Sequence, residues 1–238
     1  MKDNVRTRIW QTVLFIIAVS LVAKFGQPQL LRTYIKFGLG DCNKNPILCV
    51  NPQAEIINPP LNEEFRGKLV KYQFPEMEIY MPYGYTVIKE EIKRAYYKKK
   101  RSPYGKTTVY LLYKKPQFFP GLFPKVKDKG MANNYEFVKR TMYSSPAKIN
   151  NLTDSLFIII KAIFTPDLGP SKDIKMLKFT LEDKLGFISY TLGEKENYFN
   201  CDVLNAQGDF FKIYIKDKVA ALDLNKVFTI ISTVKKID

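Results

Sequence analysis

Apolar and polar positions alternate most regularly in the last third of the chain. Met176 to Leu181, Gly186 to Leu192, Tyr198 to Leu204 and Phe210 to Ile215 are β-rich runs. Between them lie Glu182-Asp183-Lys184, Gly193-Glu194-Lys195-Glu196-Asn197 and Asn205-Ala206-Gln207-Gly208-Asp209, all residues that favour turns. This spacing predicts an antiparallel meander. Asp223-Leu224-Asn225 then precedes Val227, Ile230, Ile231 and Val234 at helical spacing, with Lys235 and Lys236 in the last turn. A capped terminal helix packed on the sheet follows from that pattern.

The middle of the chain is more mixed. Met77, Ile79 and Met81 alternate with polar or amphipathic neighbours, and Tyr83-Gly84 turns the chain into Tyr85-Thr86-Val87-Ile88, so both runs read as strands. From Lys89 to Lys100 the positions of Ile88, Ile92 and Tyr96 suit either a helix face or a strand face. The turn Arg101-Ser102-Pro103-Tyr104-Gly105-Lys106 and the β-rich Thr107 to Tyr113 favour a hairpin with long charged arms. Asn133 to Tyr143 reads as a short capped helix. Leu156 to Phe164, with Asn151 or Asp154 as cap, is apolar almost throughout but interrupted by Lys161, and predicts a buried helix rather than a membrane span.

The N-terminus has a different character. Ile9 to Ala23 carries no charge, contains Trp10 near one end, and is flanked by Arg8 and Lys24. Fifteen residues span about 22 Å as a helix, enough to insert in a bilayer when the flanking cations snorkel. Ala18-Val19-Ser20 is a poor cleavage site because cutting there would leave a very short apolar region, so residues 1–26 read as an uncleaved signal anchor. Lys2, Arg6 and Arg8 would keep the N-terminus cytoplasmic and place the rest of the chain extracytoplasmic, on the periplasmic or outer face. Residues 27–68, with Pro28, Pro46, Pro52, Pro59 and Pro60 among Asn and Gln, read as a tether, and residues 69–238 as the globular domain. In an oxidising compartment Cys42 and Cys49 can close a small disulfide loop, whereas their spacing and the lack of a second pair do not suit zinc. Cys201 is left over as a small apolar strand residue.

Composition sharpens this picture in two ways. The 238 residues include no histidine, which removes every mechanism built on a Ser-His or Cys-His pair or a histidine-ligated metal. The net charge is +15, from 38 Lys+Arg against 23 Asp+Glu. Residues 89–129 hold 13 of the basic residues and 3 of the acidic ones, a net +10. Inside that region Gln117-Phe118-Phe119-Pro120-Gly121-Leu122-Phe123-Pro124 is an apolar loop bracketed by lysines. Lysines near an anionic bilayer contribute about 1 kcal/mol each, and phenylalanines can insert at the interface. Lys98, Lys99, Lys100, Arg101, Lys114, Lys115, Phe118, Phe119, Leu122 and Phe123 are therefore the candidate contact residues, facing anionic lipid headgroups or a membrane protein. Tyr96, Tyr97 and Tyr104 among the lysines also suit a nucleic acid, but a domain carried across a membrane would not meet one.

Phe74 to Tyr85 is a strand ending in Pro82-Tyr83-Gly84-Tyr85, and the strand Phe210 to Ile215 is followed by a helix containing Ile230-Ile231-Ser232-Thr233-Val234. These two stretches resemble the PsbP-like superfamily, the extrinsic photosystem II subunits and their relatives. The resemblance implies a three-layer α/β/α adaptor that binds partners and performs no catalysis. The anchor, the proline-rich segment and the missing histidine depart from that pattern.

No phosphate-binding glycine motif is present, and the sequence points to no cofactor. The pairs Glu63-Glu64, Glu90-Glu91 and Glu182-Asp183 sit among lysines and suit solvated faces better than acid/base chemistry. Asn151-Leu152-Thr153 matches a glycosylation sequon, relevant in a eukaryotic source. The expectation is an α+β domain: an antiparallel sheet of N-terminal hairpin strands and C-terminal meander, packed by helices behind a transmembrane helix. Its role would be binding or scaffolding without catalysis. The rival is a histidine-independent hydrolase or lyase with a carboxylate or lysine site in a cleft.

Overall fold

A computed structural model describes residues 26–74, 76–91, 94–99, 107–124, 131–169 and 173–237, with the backbone alone at 74, 86–91 and 94–99. In chain order the first elements are α1 (Gln27–Leu39), β1 (Glu55–Ile57), α2 (Glu63–Arg66), β2 (Leu69–Phe74), β3 (Met77–Pro82), β4 (Tyr85–Glu91), β5 (Arg94–Lys99) and β6 (Thr108–Lys114). There follow α3 (Phe118–Leu122), α4 (Asn134–Met142), α5 (Leu152–Phe164), β7 (Lys175–Leu181), β8 (Lys184–Thr191), β9 (Asn197–Asn205), β10 (Phe210–Asp217), α6 (Leu224–Ser232) and β11 (Lys235–Lys236). The architecture is α+β, with one mixed and one antiparallel sheet packed by helices.

β7 to β10 form the antiparallel meander, and the sheet runs β1-β7-β8-β9-β10-β6-β5-β4. Pairing is antiparallel except at one end, where β1 lies parallel to β7. A Cβ on Gly186 would meet the Asp202 carbonyl at 2.0 Å, so β8 needs glycine where it crosses β9. The run expected as the first strand of the same sheet, Met77 to Met81, belongs elsewhere: β2, β3 and β11 make a separate three-stranded sheet. Met77, Ile79 and Met81 are buried on one face of β3, while Glu78 on the other is held by Lys71 at 2.6 Å and Lys235 at 2.9 Å. Lys71 first and Lys235 second hold that carboxyl below the usual carboxylate range. Leaving the large sheet is what lets β3 meet the C-terminal strand.

One face of the large sheet packs against α6 and the small sheet, burying Phe179, Ile188, Phe199, Cys201 and Ile213 against Val227, Phe228 and Ile231. α6 starts where Asp223 accepts a hydrogen bond from the Lys226 amide at 2.8 Å, satisfying one of the unpaired donors of its first turn. Each fully buried apolar side chain on this helix contributes about 1.5–3 kcal/mol. Burial also pushes the Cys201 thiol well up, leaving it an inert core residue. The opposite face is covered by α3, α4 and α5, with Phe119, Phe137, Phe157, Phe187 and Phe210 at its centre. Asn133 and Asn151 cap α4 and α5 through their side-chain oxygens.

Residues 27–68 are built into the fold and are not a free tether. Ile35 of α1 packs with Leu48, Ile149 and Ile158 on the outer side of α5, and Arg32 donates to the carbonyls of Ala147 and Ile149. Cys42 and Cys49 are joined by a disulfide whose Cα atoms lie 5.7 Å apart, closing the turn that leads to the buried Ile47 and Leu48. Backbone hydrogen bonds at 2.9 Å, from Gln53 to Met176 and from Lys178 to Ala54, lead into the β1–β7 pairing. The apolar residues here show no period because each is buried against a distant partner rather than along one regular face. No helix among the described residues is long and apolar enough to cross a membrane; the run Ile9 to Ala23 lies outside them.

Candidate functional site

The basic segment forms one end of the large sheet, with β4 as the edge strand and β5 and β6 behind it. Lys98 lies opposite Thr108 of β6 and Lys99 opposite Tyr85 of β4; their side chains, and all of Lys100 and Arg101, lie outside the described residues. Lys114 and Lys115 stand at the other end of β6, where Lys114 pairs with Phe210. At about 3.3 Å per residue, the six steps from Thr108 to Lys114 separate the two groups by roughly 20 Å. The residues expected to make one surface thus fall at two ends of a hairpin. The sequence runs them together only because the chain turns back on itself between them.

The Phe-rich segment is likewise placed differently from the expectation. It forms the short helix α3, entered through Gln117 at φ 63°, and plugs the helix-side core. Phe119 is 6% exposed, stacked on Phe137 at 4.9 Å and edge-on to Phe210 at 5.0 Å and Phe164 at 5.3 Å. Phe123 stacks on the other side of Phe137 at 5.7 Å. Phe118 is half-buried beneath the Lys114 ammonium, which lies 4.3 Å above its ring. Buried Asn134 fixes the plug: its Oδ1 accepts from the Phe119 amide at 3.1 Å, and its Nδ2 donates to the carbonyls of Lys115 and Gly208, each at 3.0 Å. Burying these rings against other aromatics outweighs leaving them in water, so Phe119 is core and not a contact residue. Leu122, 56% exposed, and Lys115 remain on the surface.

Sequence reasoning missed a polar row beneath α5. Ser189, Asn200, Asp202 and Lys212 come from neighbouring positions of β8, β9 and β10, and all are buried. Lys212 Nζ lies 2.7 Å from Asp202 Oδ1 and 4.1 Å above the ring of Phe164; Asn200 Nδ2 donates to Asp202 Oδ2 at 3.0 Å. Burial raises the Asp202 pKa against the pull of Lys212 and lowers that of Lys212 against the pull of Asp202. Ser189 Oγ and Asn200 Oδ1 have no partner among the described residues. The signal was present as polar-apolar-polar alternation in β9 and β10, a pattern that equally describes a solvated face.

A second buried cation joins three segments. Lys161 of α5 donates from Nζ to the carbonyls of Val50 at 2.6 Å and of Met142 and Ser144 at 2.9 Å each. It thereby closes the C-terminal end of α4, where carbonyls are otherwise unpaired. Burial, with Lys148 adding to it, pushes the Lys161 pKa down to about 7.

A cavity of about 370 Å³ opens between the disulfide loop and the segment after α5, lined by Lys44, Asn45, Ile47, Thr165, Asp167 and other residues. Gly169, at φ +84°, lets this segment lie on the Tyr198 ring, which a Cβ would meet at 2.4 Å. Asp202, Lys212 and Lys161 do not line the cavity, so these buried groups are closed off from anything bound there. Among the described residues, no three Cys, Asp or Glu side chains gather as a metal site. The arrangement can exchange a proton within a closed pair and can clamp helices together. No protein-family model matches the chain, and no curated protein does.

Proposed function

We propose that this chain is a membrane-anchored, extracytoplasmic binding or scaffold protein that performs no catalysis. The observation that carries the reading is the position of the basic strands β4, β5 and β6 at one end of the large sheet, where β4 is the last strand among the described residues, within the 41-residue region that holds +10 of the +15 net charge. Ile9 to Ala23 tethers the domain at a bilayer, and Lys98 to Arg101 supply the first contact with an anionic surface. Lysine suits that task, since it is a compact point charge attracted without fixed geometry. The closed Asp202–Lys212 pair favours this reading over a carboxylate or lysine hydrolase, whose acting groups must reach a substrate.

The test uses the full chain reconstituted in neutral vesicles and mixed with a second set of vesicles. Anionic vesicles should cluster with the first set and disperse in high salt. The variant carrying Lys98→Glu, Lys99→Glu and Arg101→Glu should lose the clustering, at about 1 kcal/mol per cation removed and more for the reversed charge. Equal clustering of neutral vesicles, or an unaffected variant, would count against the basic edge. Extraction of the wild-type chain from membranes by carbonate would count against the anchor.

A further inference from the structure

α1 is apolar on two sides. Leu31, Ile35 and Leu39 face Leu48, Ile149 and Ile158. Roughly a third of a turn around the helix, Leu30, Tyr34 and Phe37 recur at i, i+4 and i+7, and they are 71%, 70% and 85% exposed. These are among the most exposed large apolar side chains of the described residues. A surface helix ordinarily carries one apolar stripe, so a second one implies a second covering.

Where the chain runs outside the described residues indicates what that covering is. α1 begins at Gln27, and residues 1–25 precede it. On the reading that Ile9 to Ala23 inserts in a bilayer, only Lys24 and Phe25 separate the end of the inserted run from Gly26, a reach of at most about 10 Å over three steps. The first turn of α1 is therefore held at the membrane surface, and the whole helix is only about 20 Å long. Its charge fits the same place, since Lys36 is exposed and Gln27 to Leu39 contains no carboxylate, while Arg32 is turned to the carbonyls of Ala147 and Ile149. Tyr34 and Phe37 bring rings suited to the headgroup boundary, with the Tyr34 hydroxyl able to stay wet. A second copy is a poorer occupant, because three side chains fall far short of the roughly 800 Å² per partner that a stable dimer buries.

We propose that the Leu30–Tyr34–Phe37 face of α1 lies in the headgroup–acyl boundary of the bilayer and docks the domain flat beside its anchor. The proposal rests on the anchor reading, and the test separates the two. Trp10 is the chain's one tryptophan, so it reports the anchor in the wild type, while Trp10→Phe combined with Phe37→Trp reports the face. Both proteins are reconstituted full length in vesicles containing brominated phosphatidylcholine, and iodide is added from the outside. Phe37 is exposed, so the exchange should leave the circular dichroism unchanged, and Trp10→Phe with Tyr34→Trp serves as a second reporter.

The expected result is quenching by brominated lipid at position 10 and at position 37 or 34. Iodide quenching at the α1 position should be several-fold weaker than for a free indole. Lipid quenching at position 10 with full iodide access at 37 and 34 would overturn the docked face and leave the anchor standing. Absence of lipid quenching at all three positions would overturn both. Iodide shielding in that case would assign the cover to residues 1–25 if it survives dilution, and to a second copy if dilution removes it.

Discussion

The two faces of the large sheet are made from alternate residues of the same strands and are held together differently. Toward α6, Ile188, Phe199, Cys201, Val203, Phe211 and Ile213 form a continuous apolar layer. Toward α5, their neighbours Ser189, Asn200, Asp202 and Lys212 are equally shielded from water but polar. Burial of an apolar layer is non-directional and tolerates small changes of shape. Burial of an ion pair is worth little in itself and becomes costly when one partner is lost. The α6 face is thus secured by apolar contact alone, and the α5 face by an aromatic cluster together with the Asp202–Lys212 pair.

The contrast is easiest to break at Asp202. Asp202→Leu leaves the Lys212 ammonium buried without its partner and should cost about 3–5 kcal/mol in urea unfolding. Adding Lys212→Met should recover most of that loss. A single variant as stable as the wild type would mean that the pair is not shielded.

Lys161 tests the same principle through pH. Lys161→Met leaves one buried and two partly buried carbonyls without this donor and should cost about 2–3 kcal/mol. Because the folded-state pKa is pushed down to about 7 from 10.5, the unfolded chain holds a proton between those values that the folded chain lacks. The contribution of this ionisation to stability is therefore fully present above pH 10.5 and is lost as the pH falls through 10.5 toward 7. The stability of wild type relative to Lys161→Met should rise between pH 7.5 and 10, as denaturation at a series of pH values would show. A flat difference would place the amine in solvent.

The smallest effects come from two adjacent residues of β8 that face opposite ways. Ile188→Val removes one methylene from the apolar layer and should cost about 1 kcal/mol. Ser189→Ala removes a hydroxyl that has no partner among the described residues and should change stability by less than about 0.5 kcal/mol in either direction. A large loss at Ser189 would reveal a buried water or ligand bound there.

The meander was legible because its evidence is local: period-two alternation in four runs, with turn residues between them. The caps of α4, α5 and α6 were legible for the same reason, since Asn133, Asn151 and Asp223 act on amides three residues away. The candidate contact surface was legible only as a concentration of charge. Lys98 of β5 and Lys114 of β6 are sixteen positions apart in sequence and stand at opposite ends of the β5–β6 hairpin, which depends on where it turns. Phe119 also defied a local reading: a proline-bounded run of rings can face a membrane or a core, and Asn134 with Phe137, Phe164 and Phe210 decides for the core.

By itself, the sequence determined an α+β chain with a C-terminal meander, a terminal helix and a strongly basic middle, because periodicity, capping and charge are properties of neighbours. Tertiary structure alone decided that the proline-rich segment belongs to the fold, and that Asp202 and Lys212 meet out of water. It also decided that Phe119 is core and that an exposed apolar stripe lies on α1. Each of these depends on contacts between residues far apart in the chain, where burial and pairing, rather than local pattern, set the free energy.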